Sequence, residues 1–144
     1  MAKSMTWGAI LMLCGCVLLK DGPAFSEDVA DVDCKNPVTQ ADMNQCAGDS
    51  FRKADAELNA QWSKTRAVLL SWDKATPPDN DNGAAKRLLQ SQRAWLSYRD
   101  ASCELEAYTA HGGSMEPLLN MSCLKELTEK RVEELKSLAE FYAN

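Results

Sequence analysis

The stretch TQADMNQCAGDSFRKADAELNAQWSKTRAVLLSW, residues 39–72, decides the fold of this chain. Its apolar positions recur at steps of three and four residues, the period that places side chains on one face of an α-helix. These positions are Met43, Ala47, Phe51, Ala54, Leu58, Trp62, Thr65, Leu69 and Trp72. Thr39 can cap the first turn, and Asp42 favours the helix dipole there. The stretch therefore predicts one helix of about 30 residues, or about 45 Å.

Two more helices are predicted downstream by the same period. After the turn-forming segment TPPDNDNG, residues 76–83, a second helix is expected from Ala84 to about Ala110. Its inward face would carry Leu88, Gln92, Trp95, Arg99, Ser102 or Cys103, and Glu106, with Leu89, Leu96 and Leu105 beside them.

A third helix is predicted after the glycine pair Gly112-Gly113, with Ser114 as its cap and Pro117 in its first turn. Its inward face would carry Leu124, Leu127, Arg131, Leu135, Leu138 and Tyr142. No segment shows the alternation of a strand. The sequence thus predicts an all-α fold, a three-helix antiparallel bundle with an up-down-up order.

The first 26 residues are predicted to be an export signal. Lys3 precedes an uncharged, mostly apolar run of 13 residues, Trp7–Leu19. This run is shorter than the roughly 20 residues of a membrane span and is typical of a signal peptide. Small residues at Ala24 and Ser26 suit cleavage before Glu27, which leaves residues 27–144 as a single helical domain in the periplasm or outside the cell.

The alternative is a lipoprotein. The segment LCGC, residues 13–16, is similar to a lipobox, in which Cys16 would be lipidated and would anchor the chain to the membrane. We favour cleavage after Ser26 because the apolar run continues beyond Cys16.

Four cysteines remain in residues 27–144, an even number that predicts two disulfides in an oxidising compartment. Cys34 can fold back on Cys46 in the first helix, and Cys103 would face Cys123 across the Gly-Gly turn. This local pairing requires no crossing of the bundle. Zinc binding is the alternative, but residues 27–144 contain no C-x-x-C pair, the spacing that zinc sites favour.

The chain shows no motif of catalysis or of nucleic-acid binding. Its net charge of −5 argues against contact with a phosphate backbone. His111 is the single histidine, and Ser114 lies nearby, but a nucleophilic serine requires a rigid turn and an oriented base. Phosphate-binding loops and metal or haem motifs are absent from the sequence. We therefore expect a protein that is not an enzyme and binds no cofactor or metal.

Several polar side chains fall on or near the predicted inward faces. They are Asp55, Asn59, Gln92, Arg99 and Arg131. A buried guanidinium must be paired and hydrogen-bonded, because leaving it unpaired is costly. We predict that Arg99 and Arg131 bond across the helices to acids such as Asp55 or Glu104, in a network that fixes the helix register. A ligand-binding role for these side chains is the alternative.

The segment QRAWLSYRDASC, residues 92–103, is the most specific part of a resemblance to the LprI-like lysozyme-inhibitor family. Four other segments share it, namely residues 39–47 (T-x-x-x-M-N-x-C-A), 54–59 (A-D-x-x-L-N), 112–114 (G-G-S) and 123–135 (C-L-x-x-L-T-x-x-R-x-x-x-L). The resemblance extends from Cys34 to about Leu138. It implies a small, exported, helical protein that binds and inhibits lysozyme at the bacterial envelope.

The charge of the chain is compatible with such a partner. Removal of residues 1–26 leaves 14 basic and 20 acidic residues and a net charge of −6, which would steer the protein toward a basic lysozyme or another basic envelope protein. An inhibitor must also place a group in the lysozyme cleft. The turn formed by His111, Gly112, Gly113 and Ser114 is the candidate, with Lys125 nearby.

A non-inhibitory module that binds peptidoglycan or another periplasmic protein is the alternative function. A patch of exposed aromatic side chains, such as Trp72, Tyr98 or Tyr108, would favour it. The sequence leaves the oligomeric state open.

Overall fold

The computed structural model describes residues 32–76 and 83–144, and these contain three α-helices, one short 3-10 helix and no strand. The α-helices are α1 (Gln40–Ala75), α2 (Ala84–Ala107) and α3 (Glu116–Ala143), and the 3-10 helix is Tyr108–Ala110. The predicted all-α three-helix fold is confirmed. The predicted signal peptide, Cys16 and residues 77–82 of the linker lie outside the described residues. Within the described ranges, none of the helices is both long enough and apolar enough to cross a membrane.

Helix α1 begins with the predicted cap. Thr39 Oγ1 accepts a hydrogen bond from the Asp42 N–H at 3.1 Å, and the Asp42 carboxylate accepts one from the Thr39 N–H at 2.9 Å. Because the Thr39 N–H bond favours the ionised carboxylate, the pKa of Asp42 is lower than usual. The helix has 36 residues and ends at Ala75, one residue before the Thr76 C-cap. Pro77 explains this end, since a residue before proline is disfavoured in the helical conformation.

Helices α1 and α3 run parallel, and their register is constant because the paired residues of three contacts are all 70 positions apart. The Asn44 amide donates to the Ser114 carbonyl at 3.1 Å, and Thr65 Oγ1 donates to the Leu135 carbonyl at 2.9 Å, each over 70 residues of sequence. Trp72 and Tyr142 are also 70 residues apart in the sequence, and their rings pack edge to face with centroids 5.3 Å apart. These contacts span almost the whole of α1. The α1–α3 contact is the most extensive of the three, and α2 runs antiparallel to both.

The core receives side chains from every helix. Its main cluster consists of Leu58, Leu69, Ala85, Leu88, Val132 and Leu135. A second cluster surrounds two buried cysteines and consists of Cys103, Cys123 and Leu124, with Phe51, Met121 and Leu127 packed against them.

The start of α2 is capped by a side chain of α1. Asp73 accepts hydrogen bonds from the Ala84 N–H at 2.7 Å and from the Ala85 N–H at 3.0 Å. Gly83 occupies the N-cap position, where an added Cβ would lie 2.6 Å from an Asp73 carboxylate oxygen. A larger residue at position 83 would therefore have to displace the Asp73 carboxylate that caps α2.

The C-terminal half of α2 differs from the sequence prediction. The α-helix ends at Ala107, not near Ala110, because the chain tightens into the 3-10 turn. The prediction that Leu105 borders the buried face is wrong, since Leu105 is 74% exposed. Cys103 and Ala107 are 0% and 1% exposed and define the buried face. Leu105 is two positions from each of them, so its side chain is rotated by about 200° around the helix axis from that face. Leu89 and Glu106, also expected on or beside this face, are exposed as well.

Candidate functional site

Two disulfides lie at the end of the bundle where α2 turns into α3. They are Cys34–Cys46 and Cys103–Cys123, each with a Cα–Cα distance of 5.4 Å. Both predicted pairings are confirmed. The zinc alternative is wrong, because none of these four sulfurs is left as a thiolate ligand. In residues 32–76 and 83–144, no three histidine, cysteine or acidic side chains form a group that could hold a metal.

The α2–α3 turn, residues 108–116, is a chain of tight backbone turns. His111 N–H donates to the Tyr108 carbonyl at 3.1 Å, Gly113 N–H to the Ala110 carbonyl at 2.9 Å, and Glu116 N–H to the Gly113 carbonyl at 3.2 Å. Gly112 has a φ of 74°, a left-handed conformation that glycine adopts without a Cβ clash. The backbone of this turn is therefore ordered although most of its side chains are exposed.

Glu116 organises the α2–α3 turn. Its carboxylate accepts a hydrogen bond from the Gly112 N–H at 2.8 Å and lies 3.2 Å from His111 Nδ1. The Gly112 bond, followed by the His111 contact, lowers the pKa of Glu116 below its usual range. The imidazole of His111 in turn stacks on the Tyr108 ring, with centroids 4.7 Å apart. No sequence motif identifies Glu116, because its role depends on the folding back of the Gly-Gly turn.

Ser114 does not cap α3, so that prediction is wrong. The Gly113–Glu116 turn brings Met115 to the N-cap position, which has no side-chain cap. The Ser114 carbonyl instead accepts the bond from Asn44, which ties the α2–α3 turn to the start of α1. Lys125, expected near this turn, forms an ion pair with Glu129 at 2.8 Å along α3.

The α2–α3 turn lies in an acidic part of the chain. Residues 100–124 contain four acidic side chains and no lysine or arginine, with Arg99 and Lys125 immediately outside this range. The His111 and Met115 side chains are exposed. The turn therefore presents an imidazole, a thioether and small residues on the surface.

Arg99 lies at the centre of the polar network. Its guanidinium is buried and contacts all three helices, through Asp55 of α1 at 3.4 Å, Asp100 of α2 at 2.8 Å and Thr128 of α3 at 3.3 Å. Asn59 extends the network by donating to Asp55 at 3.1 Å. The guanidinium carbon also lies over the Phe51 and Trp95 rings, 5.4 Å and 5.2 Å from their centroids. We infer that Arg99 holds the three helices in register.

Arg131 has a different set of partners from the predicted one. Its guanidinium donates to Gln92 and to Ser91 of α2, both at 3.0 Å, and to Glu134 of its own helix at 2.7 Å. The prediction that Arg131 pairs with an acid on another helix is therefore wrong. The reason is geometric, because the α2 residues that face Arg131 are neutral. The Arg131 guanidinium also lies 5.7 Å from the Trp95 ring that Arg99 contacts.

Protonation of Glu116 is expected to loosen the α2–α3 turn. A carboxylate with a lowered pKa stabilises the folded turn above the usual glutamate pKa of about 4.3, and that contribution is lost as the pH falls through the lowered value. In 1H–15N NMR spectra, the Gly112 amide resonance should therefore shift on acidification, at pH values below the usual glutamate pKa.

Two variants control this prediction. Glu116→Gln should remove the acid titration of the Gly112 amide, whereas Glu140→Gln, an exposed change in α3, should leave it unchanged. A Gly112 resonance in the unmodified protein that does not move on acidification would contradict the bond.

Comparison with known proteins shows that the disulfides, the Arg99 network and the α2–α3 turn lie in a region of sequence shared with other proteins. A family model described as "Lysozyme inhibitor LprI" matches residues 33–135. The uncharacterized protein R02472 of Rhizobium meliloti (strain 1021) is 47% identical over 115 residues, covering 78% of this chain and 82% of that protein. The uncharacterized protein YecT of Escherichia coli (strain K12) is 29% identical over 96 residues, covering 57% of this chain and 59% of YecT. No solved structure matches. The matched range contains both disulfides, the Arg99 network and the whole α2–α3 turn.

Proposed function

The chain belongs to the lysozyme inhibitor LprI family, and on this basis we propose that it is an exported protein that binds lysozyme and inhibits it. The family match is the observation that carries the proposal, since it covers most of the described residues. The inhibitor family and the two disulfides indicate an extracytoplasmic protein. Export by cleavage after Ser26 is the proposed route, and lipidation of Cys16 is the alternative. The protein acts in this proposal by binding and not by catalysis.

The α2–α3 turn is the proposed inhibitory surface. His111 is exposed, and its Nδ1 faces the Glu116 carboxylate, an acceptor. With Nδ1 as the donor to Glu116, Nε2 can accept a hydrogen bond from a protonated catalytic acid. When the imidazole is protonated, Nε2 can instead donate to a catalytic carboxylate. Lysozyme uses a pair of carboxyl groups in two such protonation states.

Charge supports the same surface. The four acidic residues in the range 100–124 would attract a basic lysozyme to the end of the bundle that carries the turn. Such steering accelerates the encounter at low salt, while short-range contacts determine how long the complex lasts. A specific complex should therefore survive physiological salt.

Lysis of bacterial cell walls by a basic chicken-type lysozyme tests the proposal. Titration with the purified, oxidised protein should give saturable inhibition at low and at physiological salt. The double variant His111→Ala/Met115→Ala should weaken inhibition about tenfold or more if these side chains enter the cleft. Phe141→Ala, an exposed change on α3 near the other end of the bundle, is the control and should have no effect.

The salt series separates specific inhibition from simple charge attraction. Glu106→Gln should slow association at low salt more than Glu140→Gln, although both remove one exposed negative charge. Inhibition that disappears at physiological salt would show that the protein attracts lysozyme by charge alone and does not form a specific complex. Failure to inhibit any lysozyme class would contradict the proposal.

Exposed aromatic residues on α2 favour a second candidate, a non-inhibitory module that binds peptidoglycan or another periplasmic protein. Tyr98 and Tyr108 are exposed on α2 and at its end, whereas Trp72 packs its ring edge to face with Tyr142. Sedimentation with purified peptidoglycan, without inhibition of lysis, would support this second function.

A further inference from the structure

An apolar stripe runs along the outer face of α2. Its members are Ala94, Tyr98, Ala101 and Leu105 of α2 and the C-cap residue Tyr108. They follow one another at steps of four and three residues, which is the spacing of the a and d positions of a coiled coil. All five are exposed, with Tyr98 at 61%, Leu105 at 74% and Tyr108 at 64%. The buried face of α2 points away from this stripe, so no other described helix covers it.

Small and large side chains alternate from Ala94 to Leu105 in the α2 stripe, which Tyr108 ends with a second large one, and this order fits a second copy of the same helix. In an antiparallel pair, the a position of one helix lies opposite a d position of the other. Tyr98 then lies opposite Ala101 of the second copy, and Leu105 opposite Ala94. Tyr108 lies opposite Ser91, an exposed residue one step before the stripe. Each bulky side chain would fill the space left by a small one.

The charge of α2 also favours an antiparallel self-association. Lys86, Arg87 and Arg93 lie in its N-terminal half, whereas Asp100, Glu104 and Glu106 lie in its C-terminal half. An antiparallel pair places basic halves beside acidic halves, and a parallel pair would place like charges together. Arg93 and Glu104 are exposed and form no ion pair within the described part of the chain, so both are available to a second copy.

We propose that two copies of this chain associate through the α2 stripe, with their α2 helices antiparallel. A two-fold axis perpendicular to the helices generates this arrangement and closes it as a dimer, because each copy presents the same surface. A basic lysozyme is a poorer occupant, since half of the α2 surface is basic. The proposal does not rest on lysozyme inhibition, although Tyr108 belongs to both the α2 stripe and the α2–α3 turn.

Sedimentation equilibrium of the purified, oxidised protein tests the association. From about 1 µM to about 1 mM, the average mass should rise from one copy toward two. Leu105→Asp should weaken association at least about tenfold, because it puts a charge inside the apolar seam, opposite Ala94 of the second copy. The fold should be retained in this variant, since Leu105 makes no part of the core, and circular dichroism checks this. Phe141→Asp on α3 is the matched control and should dimerise as the unmodified protein does.

Charge reversal tests the antiparallel order. Arg93→Glu and Glu104→Arg should each weaken association severalfold, and the two together in one chain should restore it. A parallel dimer would not show this rescue. A mass of one copy throughout the concentration series would overturn the proposal, as would a dimer that Leu105→Asp leaves intact. Either result would leave the stripe as a surface for a different protein.

Discussion

Replacement of both Cys103 and Cys123 by alanine is expected to lower the free energy of unfolding by about 3 kcal/mol or more. The crosslink joins residues 20 positions apart, and its loss frees this loop in the unfolded chain. Cys103 is also fully buried beside Leu124 and Phe51, so its truncation removes packing. The crosslink also fixes the rotation of α2 about its axis relative to α3. This rotation determines that Ala107 is buried and Leu105 exposed.

Chemical denaturation followed by circular dichroism measures this effect, with the Cys34→Ala/Cys46→Ala variant as the comparison. Cys34 lies in the exposed segment before α1, so loss of its disulfide releases mainly that segment. We therefore expect a smaller loss of stability from the N-terminal pair than from Cys103 and Cys123. The opposite order would contradict the assignment of the second crosslink to the core.

The second large effect is expected from Leu135→Ala, at about 2–5 kcal/mol of unfolding free energy. Leu135 is 1% exposed and packs in the main core cluster with Leu58, Leu69 and Leu88. Truncation removes apolar contact and leaves a cavity between the helices. The Leu135 carbonyl, which accepts the Thr65 bond, is retained by the variant, so the measured loss reports on side-chain packing.

Leu105→Ala is the matched control because it deletes the same atoms from an exposed position of α2. On dilute protein it should change the unfolding free energy by no more than about 0.5 kcal/mol. Equal losses from the two variants would mean that the core is not where the structure places it.

Most of the helical architecture could be predicted from the sequence because its signals are local. Steps of three and four apolar residues, the Thr39 cap and the proline- and glycine-rich connections are each read within a few positions of the chain. The two disulfides were predictable for the same reason, since each joins cysteines on neighbouring segments. The location of the α2–α3 turn followed from its glycine pair.

The remaining features depend on how the helices face one another. The constant register of α1 against α3, the capping of α2 by Asp73, the neutral partners of Arg131 and the carboxylate of Glu116 beneath the turn all join residues that no short-range pattern links. The exposure of Leu105 is the clearest case, because a period of 3.6 residues defines a face without fixing its rotation. The Cys103–Cys123 crosslink and the packing of Ala107 fix that rotation, and only the folded chain brings those contacts together.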